Sequence, residues 1–426
     1  MNILIDKYLL IKLKGGALQF TIAFALLVLM VVLSFLLYNQ LRGNELLRLR
    51  MKEALYRDIR SASLILEESP ALFEKDTSSF FLYSDVFADS VRVSVHPWGF
   101  YRLAVISEVH RRTAVRKYFL FSDDLSKNEL KPSLYFSDPH RYLSIGGSTY
   151  LGDGTWLPAY GVRKAYVNGI GYYRDSLVQG TSYEAKDSLP SPRENLKEMY
   201  TKTLEWANEA DSTTTLEAIA GKGSLFNSFK NKTLAVLCPD DAELEDIRIS
   251  GNVILCGKNL VIRHTATLEN CIVLARSIKI DDKFKGSGQF IAEQAISTGD
   301  SCTFGPPAVF YSESGTIDGL IRLGGGCTFT GDIIQTEYVS PFAEILTLGK
   351  GTKLTGQVYC NGIVSVSASV LFGSMFCRGF IYRTKKGVYN NFLLNVCIDY
   401  QRLPGEYGGI ALTGETNGKK CILEVY

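Results

Sequence analysis

The longest uncharged apolar segment of the chain covers residues 17–38, ALQFTIAFALLVLMVVLSFLLY. An α-helix rises about 1.5 Å per residue, so this segment is long enough to cross the roughly 30 Å of hydrocarbon in a bilayer. No second apolar segment of this length follows in the sequence. We therefore predict one transmembrane helix at 17–38, in contact with membrane lipid, preceded by a basic tail at 1–16.

In residues 39–69 an apolar side chain recurs at every third or fourth position, which predicts an amphipathic helix that continues from the membrane. The stripe consists of Leu47, Met51, Leu55, Ile59, Ala62 and Leu66. Ser69-Pro70 is expected to end this helix, because the residue before a proline avoids the helical conformation. The stripe is expected to pack on the protein's own next domain or, alternatively, on a partner helix, although it is short for a coiled coil.

Residues 70–142 predict a small antiparallel β domain. Three segments with alternating apolar and polar residues lie at 90–96, 101–109 and 113–121. The joins between them are short and are turn-forming or polar, which is typical of antiparallel neighbours.

A short repeat dominates the second half of the chain and predicts a β-solenoid. An apolar-x-Gly-x-apolar unit is centred on Gly251, Gly319, Gly331, Gly356 and Gly373, and segments 326–333 and 351–358 match at an offset of 25. Units this small cannot bury an apolar face alone, so they are expected to stack. Glycine permits corners that a side chain would block. The alternative is an ordinary β-sandwich with frequent turns.

We expect the solenoid to occupy 143–426, because 143–179 has the same pattern of glycines and short apolar segments. A helix at about 192–209 is expected to interrupt it, with a proline in its first turn. The apolar strand at 420–426 is expected either to cap the last turn or to be donated to a partner. The predicted fold class is therefore mainly β.

Composition does not favour nucleic acid as a partner. Lys+Arg number 46 and Asp+Glu 44, a balance that supplies no strong field for a polyanion. Gly (38), Tyr (23) and Phe (23) are abundant, which favours β structure with many tight turns.

Catalysis is a weaker hypothesis than a structural role. The carboxylates that a polysaccharide-cleaving acid/base pair would need are found at Asp240, Asp241, Asp281, Asp282, Asp300 and Asp332. Most of these lie in turn-like sequence, where solvated carboxylates are usual. The isolated histidines are His96, His110, His140 and His264, and the tryptophans that could stack on sugars, Trp98, Trp156 and Trp206, are scattered. We therefore predict no enzyme and no catalytic, metal or cofactor site.

All nine cysteines follow Leu237, with no C-x-x-C spacing: Cys238, Cys256, Cys271, Cys302, Cys327, Cys360, Cys377, Cys397 and Cys421. Their spacing indicates small hydrophobic side chains buried in stacked columns. An odd number slightly favours a reducing environment, although cysteines in adjacent turns could form a disulfide.

On the apolar-x-Gly-x-apolar units, residues 240–380 resemble the bactofilins, bacterial proteins whose stacked β-helix polymerises end to end. The membrane span, the intervening sheet and the long C-terminal extension depart from that family and put free polymerisation in doubt. The whole chain is similar to a group of uncharacterised bacterial single-pass proteins, on the GALQF motif at 16–20 and on Leu157-Pro158 with Gly161-Val162. The glycine pair before the span resembles a prepilin processing site, but Thr21 stands where most pilin-type sequences have glutamate.

Membrane orientation is nearly balanced by charge. Lys7, Lys12 and Lys14 precede the span, and Arg42, Arg48, Arg50 and Lys52 follow it. A short basic tail before one early span favours a cytoplasmic N-terminus, with the bulk of the chain in the periplasm and the cytoplasmic face as the alternative.

Two functions remain open. The first is a structural or assembly protein of the bacterial inner membrane and envelope, possibly pilin-like, which self-associates or docks through its solenoid. The second is an envelope protein that binds or modifies carbohydrate in a solenoid groove. An assembly subunit would need an uncapped apolar terminal turn, whereas a glycan site would need aromatic and acidic residues converging on one face.

Overall fold

The computed structural model describes residues 15–82, 90–110, 113–209, 212–313, 320–338, 340, 343–414 and 418–426. The basic tail with Lys7, Lys12 and Lys14, and the repeat unit around Gly319, lie outside the described residues. The described chain is mainly β with one long N-terminal helix. The helices are α1 Gly15–Glu68, α2 Glu194–Asn208 and α3 Leu216–Ala220.

The strands of the described chain are, in order, β1 Thr77–Phe80, β2 Val91–Trp98, β3 Tyr101–His110, β4 Thr113–Asp123, β5 Leu134–Phe136, β6 Leu143–Gly146, β7 Tyr150–Leu151, β8 Thr155–Leu157, β9 Val162–Lys164, β10 Ser182–Glu184, β11 Ser212–Thr215, β12 Ser224–Asn227, β13 Leu234–Leu237, β14 Asp241–Leu244, β15 Arg248–Gly251, β16 Val253–Ile262, β17 Thr267–Glu269, β18 Cys271–Ile280, β19 Lys285–Thr298, β20 Thr303–Ser312, β21 Ile321–Leu323, β22 Thr328–Gln335, β23 Glu344–Leu348, β24 Lys353–Val366, β25 Val370–Thr384, β26 Gly387–Asn390, β27 Phe392–Leu394, β28 Cys397–Asp399 and β29 Lys419–Val425.

Helix α1 is continuous over 54 residues and joins the predicted membrane segment to the predicted amphipathic segment. Its most apolar window has a mean hydropathy of 2.9 and is not buried by the rest of the chain, so it is long and apolar enough to span a membrane. The helix ends at Glu68, and Pro70 begins a 3₁₀ turn. The predicted stop at Ser69-Pro70 is thus confirmed.

The apolar stripe of α1 packs against the protein's own antiparallel sheet. Leu55, Ile59, Ala62 and Leu66 are all buried there. Leu47, at the start of the predicted stripe, is 54% exposed. Of the two predicted arrangements, the described residues therefore show packing on the next part of the chain.

The antiparallel sheet has the order β1-β2-β3-β4-β29. Strands β2, β3 and β4 confirm the three predicted segments to within about two residues at each end. The expectation for the C-terminal segment was wrong, because β29 neither caps a terminal turn nor remains free for a partner. It pairs antiparallel with β4, where Cys421 lies opposite Phe121 and Val425 lies opposite Tyr118. The β4 edge is thereby paired instead of exposed.

The other strands are almost all parallel. Eighteen of them are joined in one set, and the pairings of this set close on themselves. The longer strands pair with different neighbours along their two halves; β16, for example, pairs with β13 and then with β14. Two smaller parallel sheets, β12-β15-β17 and β27-β6-β9, accompany this set.

Glycines stack in register along these parallel strands. Gly331 lies opposite Gly356, and Gly356 lies opposite Gly373. All three have positive φ, and so does Gly251. A Cβ on Gly356 would lie 2.0 Å from the Gly331 carbonyl oxygen. The predicted offset of 25 and the predicted role of these glycines at tight corners are therefore confirmed, since a side chain would block the next turn.

Order along the chain is not order in space. Segment 134–151 lies beyond the last C-terminal strands, with β5 paired to β25 and β7 paired to β28. Strand β5 thus joins the parallel set upstream of residue 143. Helix α2 then connects the two ends: Lys197 near its start pairs with Glu337 at 3.1 Å, while Ala207 near its end lies beside Cys256.

Apolar side chains are buried on both faces of one column of parallel strands. The inner core contains Leu255, Val273, Phe290, Phe310, Ile333 and Val358. The outer layer contains Ile254, Ile272, Ile291, Tyr311, Ile334, Tyr359 and Phe376, and it packs against α2 and the antiparallel sheet.

A buried amide joins the sheet to these strands. Gln289 is fully buried; its Oε1 accepts from the Phe100 N–H at 2.7 Å, and its Nε2 donates to the Trp98 carbonyl at 3.0 Å. Gly99, between those two residues, has φ +60°, and a Cβ there would lie 2.2 Å from Gln289 Oε1. The β2–β3 turn is therefore held against the strands by both shape and hydrogen bonds.

Candidate functional site

The carboxylates considered for acid/base chemistry lie at separate places and bond to neighbouring turns. Asp240 forms an ion pair with Lys258 at 2.6 Å. Asp241 accepts a hydrogen bond from Asn259 Nδ2 at 2.7 Å, and the two residues lie opposite each other in adjacent strands. Both contacts connect successive parallel strands.

The next carboxylates continue this pattern. Asp281 pairs with Arg263 at 3.1 Å. Asp282 Oδ1 accepts from the Asp300 N–H at 2.7 Å, and Asp300 Oδ1 accepts from the Gly325 N–H at 2.6 Å. Each of these two side chains therefore satisfies a backbone donor of the following turn, a structural use of a turn aspartate.

Asp332 is fully buried between the parallel strands and the C-terminal segment. Its carboxylate accepts from Gln357 N at 3.0 Å, Gln357 Nε2 at 3.3 Å, the Tyr407 hydroxyl at 2.8 Å and Ile410 N at 2.7 Å. Burial raises the pKa of Asp332 to about 6, although these donors act in the opposite direction. The geometry is that of a clamp that holds residues 407–410 against the strands.

The histidines remain apart from one another. His264 lines an open cleft of about 570 Å³ together with Asp281 and Asp282. His140 lies 3.9 Å from Asp138 and 3.9 Å from Asp187. These three side chains could approach a metal ion, but both Asp138 oxygens already accept backbone hydrogen bonds.

The tryptophans occupy three different environments. Trp98 is fully buried with its ring centroid 5.5 Å from that of Phe229. Trp156 stands in a row of stacked rings, 5.4 Å from Tyr135 and 5.0 Å from Tyr183. Trp206 lies on α2 and is half-buried beside a large cleft.

That cleft, the sheet–helix cleft, lies between the antiparallel sheet, the C-terminal half of α2 and the loop at 229–233. Its volume is about 880 Å³. Five basic side chains line it: Arg92, Arg116, Lys202, Lys230 and Lys232. Sequence reasoning missed this site, because its three walls are more than 100 residues apart along the chain and the fold alone brings them together.

A second surface, the tyrosine-rich end, lies where segment 142–183 covers one end of the parallel strands. Its tyrosines are unusually exposed: Tyr142 (45%), Tyr160 (54%), Tyr166 (73%), Tyr173 (68%) and Tyr183 (48%). The sequence contains a signal for it, since seven of the 23 tyrosines lie between 142 and 183.

The interior core is covered at both ends of the strands. Leu216 and Ile219 of α3 are buried against it at one end. Tyr172, Leu177 and Val178 pack against it at the other. The uncapped apolar terminal turn expected of an assembly subunit is therefore not seen among the described residues, and the exposed features at the ends are strand edges and outward-facing side chains.

The nine cysteines are free thiols. Five are buried: Cys271, Cys302, Cys327, Cys360 and Cys377. Cys360 lies opposite Cys377 in adjacent strands. Burial raises the pKa of Cys271 and of Cys360 to about 12. These residues act as small apolar side chains in the stacked columns, as predicted.

Comparisons with known proteins give little further guidance. No family model matches the chain. No curated protein matches it. Among solved structures, the competence-associated pilin ComZ from Thermus thermophilus matches at 10% identity with a TM-score of 0.23, over 83% of this chain and 87% of that chain. A TM-score this low does not establish a shared fold, and the resemblance to bactofilins stays a prediction.

Proposed function

We propose that this protein is a structural component of the bacterial envelope, anchored in the inner membrane by α1 and able to associate with further copies of itself. The role is non-enzymatic. The bonding of the candidate carboxylates to backbone and basic side chains of neighbouring turns supports this, because it leaves them engaged in the fold.

In this proposal the parallel strands form a three-sided β-solenoid. The chain returns to the same position after 25 residues from Gly331 to Gly356 and after 17 residues from Gly356 to Gly373. A closed barrel would give every strand two neighbours. Among the described residues, β10 pairs with β8 alone and β11 with β13 alone, which favours an open stack with two ends.

The anchor is joined firmly to the body. Leu55, Ile59 and Leu66 bury one side of α1 on the sheet. The sheet is in turn fastened to the parallel strands through Gln289. A rigid connection of this kind fixes the direction in which the strands are presented above the membrane, which suits an assembly subunit.

The observation that carries the proposal is the tyrosine-rich end. Tyrosine is enriched at protein interfaces, and monomeric proteins rarely expose large aromatic patches. A second copy is the partner that we propose, because the opposite end exposes Phe226 (64%) and Leu237 (48%). Leu237 belongs to the same outward-facing column as Tyr183, so a head-to-tail contact would join apolar to apolar surface. Such contacts do not close and generate linear assemblies.

The test is the mass of the full chain in nonionic detergent, measured by light scattering over a range of concentrations. Wild type is expected to associate as concentration rises, and the double variant Tyr166→Ser, Tyr173→Ser is expected to remain monomeric. Tyr338→Ser is the matched control, since Tyr338 is 47% exposed on the side of the stack. A wild-type monomer throughout, or association unchanged in the double variant, would refute self-association at this end.

We also propose that the bulk of the chain is periplasmic. Burial raises the pKa of Cys256 to about 11, so native thiols are poor targets for a labelling reagent. An exposed position such as Lys222→Cys is better. Labelling by a membrane-impermeant maleimide once the outer membrane is permeabilised would support this orientation, whereas labelling only after complete lysis would place the domain in the cytoplasm.

A further inference from the structure

We propose that the sheet–helix cleft binds an anionic oligosaccharide, one whose sugar rings carry carboxylate groups. The cleft is distinct from the tyrosine-rich end and from the outer faces of the parallel strands, so the inference does not depend on self-association.

Two arginines form the cationic wall. Arg92 and Arg116 lie on either side of Ser107, in register across β2, β3 and β4. Both side chains are exposed and line the cleft. Within the described part of the chain, neither forms an ion pair with a carboxylate, and the same holds for Lys230 on the opposite wall. Two guanidinium groups held one strand apart from a central hydroxyl suit the spacing of carboxylates along a sugar chain better than one point charge.

The charge is concentrated locally. Over the whole chain, basic residues exceed acidic ones by only 46 to 44. The cleft is lined by five lysines and arginines but by only two glutamates, Glu205 and Glu209. Lys202 is partly neutralised by Glu198 at 2.6 Å, so the arginines and Lys230 supply most of the uncompensated charge. The ligand is therefore expected to be negatively charged.

Aromatic and apolar side chains form the floor. Trp206 is half-buried on α2, one helical turn after Lys202, and Tyr118 and Phe229 extend the apolar surface. A partly exposed indole beside cations can stack on the apolar face of a sugar ring while the ring's carboxylate reaches a basic group. An inorganic anion would use the charges but not this floor.

Hydrogen bonds hold the third wall in a fixed shape. Asn252 Oδ1 accepts from the Thr233 hydroxyl at 2.9 Å, and Asn252 Nδ2 donates to the Asn231 carbonyl at 3.1 Å. Asn227 Nδ2 donates to the Lys232 carbonyl at 2.9 Å. The loop that carries Lys230 is thus already ordered, which lowers the entropic cost of binding.

Two other classes of ligand fit less well. An extended acidic peptide would gain most from a free strand edge, but β2 and β4 are paired on both sides. A membrane surface lies too far away: Lys117, beside Arg116, stacks on Tyr56 at 5.6 Å. About 27 Å of helix separates Tyr56 from Tyr38, at the end of the predicted span, at 1.5 Å per residue.

The test is binding of hexagalacturonic acid to the full chain in nonionic detergent, followed by calorimetry and by tryptophan fluorescence. Neutral maltohexaose and hexaglutamate are the comparison ligands. We expect binding of the acidic sugar alone, weakening as NaCl is raised. Arg92→Gln with Arg116→Gln should reduce affinity at least about tenfold, since hydrogen bonds to charged groups are involved. Trp206→Leu should reduce affinity and remove the fluorescence change.

The matched control is Arg276→Gln, which removes one exposed arginine on a distant strand and should leave binding unchanged. Far-UV circular dichroism of each variant confirms that the fold is retained, and Arg92→Lys, which keeps the charge, should retain part of the affinity. No binding of hexagalacturonate, equal binding of hexaglutamate, or equal loss in Arg276→Gln would each overturn the proposal.

Discussion

Replacing Gly356 with alanine is expected to destabilise the protein strongly, because the new Cβ has no room. The φ of Gly356 is +138°, a conformation that residues with side chains rarely adopt. The Cβ would lie 2.0 Å from the Gly331 carbonyl oxygen and 2.4 Å from the Tyr407 hydroxyl. The first contact is with backbone, so relief requires the two strands to separate by more than about 1 Å, which breaks hydrogen bonds on both sides of the residue.

The magnitude follows from these two costs. A side chain in a sparsely populated backbone region costs roughly 1–3 kcal/mol. Each strand hydrogen bond that is lost costs about 1 kcal/mol more. We therefore expect the free energy of unfolding to fall by roughly 3–5 kcal/mol, a large share of the roughly 5–15 kcal/mol that stabilises a domain.

Urea unfolding of the full chain in nonionic detergent, followed by tryptophan fluorescence and circular dichroism, measures this loss. The matched control is Gly305→Ala in β20, where an added Cβ meets no atom within 4 Å and φ lies outside the left-handed region. The control should change stability by less than about 1 kcal/mol. Equal effects of the two substitutions would refute the explanation by close strand contact at Gly356.

Three further outcomes are expected. Because burial raises the pKa of Asp332 from 3.8 to about 6, this carboxyl stabilises the fold fully below pH 4, and its contribution declines as pH rises through 6. The decline amounts to roughly 3 kcal/mol at 1.36 kcal/mol per pKa unit, and urea titrations from pH 4 to 7 should show it in wild type but not in Asp332→Asn. Gln289→Leu strands the Phe100 N–H and the Trp98 carbonyl and should lower the unfolding free energy by about 1–3 kcal/mol for each group, with Gln335 left intact as an internal reference for global folding. A thiol reagent should modify at most four of the nine cysteines in the native protein and all nine in urea, since five are buried; more than four native modifications would contradict that burial.

Local features of the fold could be predicted from the sequence because each depends on neighbouring residues. The helix stop at Ser69-Pro70 follows from the backbone restriction that proline imposes. The strands β2 to β4 follow from alternation and short turns. The glycine column at Gly331, Gly356 and Gly373 follows from a repeat whose members are adjacent in both sequence and space.

Long-range placement could not be predicted in the same way. Strand β29 and strand β4 are nearly 300 residues apart, and nothing in either sequence specifies the other as its neighbour. The pairing of β5 with β25 likewise joins two short apolar strands that share no repeat. Asp332 resembled a turn residue because a glycine precedes it, although it lies within β22 and is buried by the C-terminal segment.

One signal for a covered outer face was nevertheless present. Strands β16, β18 and β22 contain uninterrupted apolar runs, where a strand exposed on one face would alternate. Such runs are typical of parallel strands buried on both sides. They require a covering layer, and the structure supplies α2 and the antiparallel sheet.

The length of that covering layer explains where the exposed aromatic surface lies. Helix α2 carries the chain back from the last strands to the first, and it covers the outward column between Cys256 and Glu337. The column itself continues beyond the cover as stacked rings, from Phe376 through Tyr135 and Trp156 to Tyr183. The rings become more exposed along this row because no further element follows to cover them. An apolar column longer than its cover therefore leaves an aromatic face at one end, and that end is where we expect a second copy to bind.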